Sequence, residues 1–125
     1  MLQYVISAIT VLALDYVYLN TFSKAFTKQI ESIQRSRFTM NMYAAVACYI
    51  FIIFGLNYFI INKKGSLLDA FLLGFIIYGI FDTTTLALFK DWSVKLAVID
   101  SVWGGILFMT TTYVTYNILD FLRTN

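Results

Sequence analysis

Asp15, Asp82 and Asp100 each stand inside a stretch that is otherwise long and apolar enough to cross a lipid bilayer. A carboxylate at that depth costs roughly 2.5–3.5 kcal/mol on insertion scales, so it normally faces a bundle interior or a wet cavity and marks a site. Three kinds of chemistry fit such residues. They can share or relay protons, coordinate a small cation, or form the polar end of a pocket for an amphipathic molecule.

Their depth ties them together. Asp15 lies seven residues before Phe22 and Asp82 seven residues before Phe89, and Asp100 is six residues after Val94. At 1.5 Å per residue all three sit about 9–11 Å from the same membrane face. Two carboxylates about 6 Å apart repel by roughly 3 kcal/mol at an effective dielectric of 20, so three full charges in one layer need a shared proton or a bound cation. One helical turn away stand groups that can hydrogen-bond a carboxyl: Tyr18 from Asp15, Tyr78 and Thr85 (beside Thr84) from Asp82, and Trp103 from Asp100. On the second apolar segment Asn41, Tyr43 and Cys48 fall near that level, and Ala44, Cys48 and Gly55 form a small-residue face suited to close helix packing, as does Gly104 on the last.

The elements that must hold this layer follow from composition. The chain has 125 residues, 60% of them hydrophobic and 13% charged, with a mean hydropathy of +0.76. A soluble domain is about 45–50% apolar and about 25% charged, so this is the composition of a membrane protein. Apolar segments at about 2–22, 39–61, 67–89 and 94–119 each approach or exceed the ~20 residues that span ~30 Å of hydrocarbon. They consume nearly the whole chain, predicting one all-α domain over residues 1–125, an integral membrane four-helix bundle. The first segment lacks a basic n-region and a small-residue cleavage site, and so reads as a retained helix. Proline is absent, which favours continuous helices over the broken ones of many transporters.

The connectors set topology. In residues 23–38, Phe22, Phe26, Ile30 and Ile33 recur at helical spacing with Lys24, Lys28, Glu31 and Arg35 on other faces. This predicts a short amphipathic helix lying on the membrane surface, with Glu31 and Arg35 paired. Connectors one and three hold six Lys and Arg residues (Lys24, Lys28, Arg35, Arg37, Lys90 and Lys95), against three (Lys63, Lys64 and Arg123) in connector two and the C-terminal tail. The positive-inside rule then puts connectors 23–38 and 90–93 in the cytoplasm and both termini outside.

Other chemistries lose their usual groups. With no histidine and one cysteine, no metal or cofactor is expected, and a net charge of +2 does not point to nucleic acid. All six lysines lie at or outside span ends, against a retinal-type Schiff base. The partners expected are the bilayer, protons or small cations, and a second copy of the chain. The leading expectation is passage of protons or small cations through the aspartate layer. The alternatives are a lipid or small-amphiphile pocket, binding or catalytic, and protonated aspartates that only join helices.

A segment running Phe81-Asp82-Thr83-Thr84-Thr85-Leu86-Ala87-Leu88-Phe89-Lys90-Asp91-Trp92, followed by Asp100-Ser101-Val102-Trp103-Gly104, resembles the small four-span proteins grouped as domain of unknown function 2177. That family shows Tyr-Asp-Leu-Thr-Asn, Ala-Thr-Leu-Lys, Trp-Pro and Asp-x-x-Trp-Gly in this order, and Leu-Asp-x-x-Trp-Leu in its first helix. Leu14-Asp15-Tyr16-Val17-Tyr18-Leu19 follows the last of these with tyrosine for tryptophan. Here Thr85 replaces the motif asparagine, Phe81 the tyrosine and Ser93 the proline. The resemblance implies the four-span fold and a role for Asp15, Thr84, Lys90, Asp100, Trp103 and Gly104, and implies no mechanism.

Overall fold

The computed structural model describes residues 2–34 and 41–124. Four helices follow one another: α1 (Leu2–Gln34), α2 (Met42–Leu56, continued by a π-helical turn Asn57–Ile61), α3 (Leu67–Leu88) and α4 (Val94–Thr124). All four are long and apolar enough to cross a membrane. In hydrocarbon every backbone N–H and C=O must be paired within the segment, which a helix achieves. The starts are capped from the sequence. Asn41 accepts from Ala44 N, Ser66 Oγ from Asp69 N at 3.0 Å, and Ser93 Oγ from Leu96 N at 3.2 Å.

The connector after the first span departs from expectation. α1 runs unbroken through Ser23–Gln34, so these residues extend the spanning helix rather than form a separate interfacial one. No glycine or proline interrupts the run, and Lys24, Ala25, Lys28, Gln29 and Glu31 are good helix formers. At 33 residues α1 is about 50 Å long, well beyond the hydrocarbon thickness. Its overhang packs over connector three, where Gln29 Oε1 accepts from Ser93 N. Arg35, and with it the expected pair with Glu31, lies outside the described residues.

The tightest helix pair is α3 with α4. A Cβ added to Gly74 would lie 2.1 Å from Gly104 O, one on Gly104 2.3 Å from Tyr78 Cγ, and one on Gly105 2.7 Å from the Phe71 ring. These glycines let two backbones and two rings approach closely. The small face of α2 does not work this way. A Cβ on Gly55 would meet nothing within 4 Å, and Ala44 and Cys48 are exposed. Small side chains permit close approach but do not attract, and among the described residues nothing seats on Gly55.

Val11, Leu56, Leu107 and Phe108 are fully buried and fill the centre of the bundle between its two ends. On the connector-two side, Asn57 at the start of the π turn donates to Ser7 Oγ at 2.9 Å and to Ile53 O at 2.7 Å. Tyr116 OH donates to Gly65 O at 2.7 Å, tying α4 to the α2–α3 turn. Outside, large apolar side chains such as Phe51, Ile80 and Leu88 are exposed, the surface a bilayer covers.

Candidate functional site

Asp15, Asp82 and Asp100 all lie in the half of the bundle nearer connectors one and three. α1 places Asp15 and Tyr18 one turn apart, and α4 does the same for Asp100 and Trp103. The two helices run antiparallel, so each aspartate faces the other helix's aromatic. Trp103 Nε1 donates to Asp15 Oδ1 at 3.1 Å, and Tyr18 OH donates to Asp100 Oδ1 at 2.9 Å. The two rings stack, 4.7 Å between centroids and 5° between planes. Asp15 also accepts from the Tyr49 hydroxyl of α2, which ties three helices to one carboxylate.

Asp82 is reached from α4. It is 0% exposed, and Ser101 Oγ donates to its Oδ2 at 3.1 Å. Its Oδ1 is buried and receives no hydrogen bond from the described residues. The carboxyls of Asp82 and Asp100 lie within hydrogen-bonding reach of each other, an arrangement with room for one proton between them. Among the described residues no three His, Cys, Asp or Glu side chains are grouped to hold one metal ion. The layer is therefore two units: Asp15, anchored by two donors, and an Asp82–Asp100 pair with capacity to spare.

A cleft of about 550 Å³ opens between α2 and α3 and reaches Asp100 of this pair. Ala47, Cys48 and Phe51 of α2 line one wall, Ile77 and Phe81 of α3 the other, and Tyr78 and Asp100 lie at its polar end. Tyr78 is held there by the packing of its ring on Gly104. The cleft size falls in the ~300–1,000 Å³ range of ligand pockets, and its apolar walls with few polar groups have the usual composition of one.

The expected polar neighbours divide. Tyr18 and Trp103 hydrogen-bond the carboxylates, and Tyr78 lines the cleft. Thr84 is exposed, and the buried Thr85 donates to Phe81 O of its own helix at 2.7 Å. Asn41 caps α2, and Tyr43 is 92% exposed. Tyr49 and Ser101 are the hydrogen-bonding neighbours that stepping along each aspartate's own helix does not find. Both are hydroxyls on a facing helix, and a search of each span for mid-depth donors would have found them.

A family model described as predicted membrane protein (DUF2177) matches residues 1–117. No curated protein and no solved structure matches the chain.

Proposed function

We propose, for a chain that belongs to the DUF2177 family of predicted membrane proteins, that it holds a lipid or small amphipathic molecule in one leaflet, with the Asp82–Asp100 pair at the polar end of the pocket. The cleft between α2 and α3 carries this reading: apolar along its walls, about 550 Å³ in volume, and ending on Asp100. An aliphatic tail between Phe51 and Phe81 removes apolar surface from neither water nor lipid at great cost, so affinity comes from shape and from the polar end. With connectors 23–38 and 90–93 on the cytoplasmic side, the cleft opens into the inner leaflet.

Passage of protons or small cations is the second reading, favoured by the acceptor at Asp82 Oδ1 that receives no donor. Against it stand Val11, Leu56, Leu107 and Phe108, a layer of fully buried apolar side chains between the aspartates and the buried Ser7, Asn57, Thr111, Thr112 and Thr115 toward the far end. A path would have to wet that layer, or run between copies of the chain in a homo-oligomer.

A photoreactive alkyl probe incorporated in membranes carrying the protein tests the pocket. Crosslinks are expected to concentrate on residues 44–52 and 77–81 and to disappear in Ala47→Trp, which fills the cleft. Crosslinks spread evenly over lipid-facing positions such as Val5, Ile9 and Val98, unchanged in Ala47→Trp, would overturn it.

A further inference from the structure

The cleft ends on a carboxyl, Asp100, that has few donors among the described residues. Asp15 is satisfied by Trp103 and Tyr49, whereas Asp82 receives one protein donor, from Ser101, and Asp100 receives one, from Tyr18. With one proton between them, two carboxyls would carry one negative charge, and Asp15 stands at the same depth. Neither Lys nor Arg forms an ion pair with any of the three among the described residues. The nearest in sequence, Lys95 and Lys90, are exposed at the ends of α4 and connector three. A carboxylate at membrane depth is offset either by a proton or by a cation placed against it.

The geometry points to the class of molecule that supplies this cation. We infer that the cleft selects amphiphiles bearing a protonated amine, the ammonium seated against Asp100, whose carboxyl is partnered behind it by Asp82, and the alkyl chain lying between α2 and α3. This rests on the pocket reading above and goes beyond it. An ammonium carries three donors and no acceptor, matching the acceptor oxygens that Asp100 offers at the cleft's polar end. A hydroxyl head can donate one neutral hydrogen bond and leaves the charge unbalanced. A carboxylate head adds a like charge and is repelled. The Tyr78 ring at the polar end gives a cation a further favourable surface.

Cys48, the single cysteine, lines the cleft and provides the readout. In nanodiscs of zwitterionic lipid, the rate of Cys48 labelling by a maleimide is measured with dodecylamine, dodecanol or dodecanoate at equal membrane-bound amounts. Dodecylamine is expected to slow labelling at about tenfold lower concentration than dodecanol, the ratio a charge-assisted hydrogen bond supports. Dodecanoate is expected to protect least. Asp100→Asn and Asp82→Asn should each erase the preference for the amine while leaving the protection by dodecanol. Equal protection by amine and alcohol, or an amine preference that survives both variants, would overturn the inference and leave the pocket standing. No protection by any of the three would overturn the pocket reading as well.

Discussion

The Trp103 indole of α4 lies flat on the Tyr18 ring of α1, and the pair is crossed: Trp103 donates to Asp15 beside Tyr18, while Tyr18 donates to Asp100 beside Trp103. Asp15-Tyr16-Val17-Tyr18 and Asp100-Ser101-Val102-Trp103 share one pattern, an aspartate and an aromatic three residues on. On antiparallel helices that spacing is self-complementary. An echo also exists between Asp15-Leu19-Phe22 and Asp82-Leu86-Phe89, but it is the α1–α4 relationship that makes contacts.

This clasp gives the first prediction. Trp103→Phe keeps the stacked ring and removes the N–H to Asp15, and should cost about 1 kcal/mol, since membrane interhelical hydrogen bonds average ~0.6 and leave a buried acceptor behind when broken. Trp103→Leu loses the stack too, adding about 0.5–1.5 kcal/mol. Tyr18→Phe and Trp103→Phe together should cost less or more than their sum, because both act through the same stacked pair. Reversible unfolding in mixed micelles measures each value. Strict additivity would show that the two bonds are independent.

The glycines give a second prediction. Gly74→Ala and Gly104→Ala force a Cβ to within 2.1 Å of Gly104 O and 2.3 Å of Tyr78 Cγ respectively. Each should destabilise the protein by about 1–3 kcal/mol, the usual cost of overpacking. Gly104→Ala should also weaken ligand retention, because it displaces Tyr78 from the end of the cleft. Gly55→Ala meets open space and should be neutral or stabilising by up to about 1 kcal/mol through helix propensity. The same unfolding assay separates the three, and equal losses for Gly55 and Gly74 would contradict this packing.

A third prediction concerns flux. Proteoliposomes loaded with a pH-sensitive dye should show no proton entry above protein-free vesicles, because Val11, Leu56, Leu107 and Phe108 keep the centre dry. Clear flux in the wild type that falls in Asp82→Asn and Asp100→Asn would instead support the conduction reading.

Much of this was legible in the sequence. Hydropathy located four helices because a span must be apolar over its length, and the aspartates stood out because their depth makes them costly. Tyr18 and Trp103 were found through their turn-by-turn spacing from Asp15 and Asp100. Tyr49 and Ser101 were not, because the bonds that matter cross between helices and depend on rotation about each axis. The same limit applies to Ala44, Cys48 and Gly55. Their size fits a packing face, but α2 turns Ala44 and Cys48 to the cleft and leaves Gly55 facing open space. The α1 overhang was hidden because a charged amphipathic segment reads alike whether it lies on a membrane or continues a helix out of it.

Native mass spectrometry of protein extracted from membranes tests most directly whether the α2–α3 cleft is a binding pocket. The wild-type chain should retain one amphiphile, and Ala47→Trp, which fills the cleft, should lose it while remaining folded. The same retained mass in both proteins, or none in the wild type, would contradict a pocket ending on Asp100.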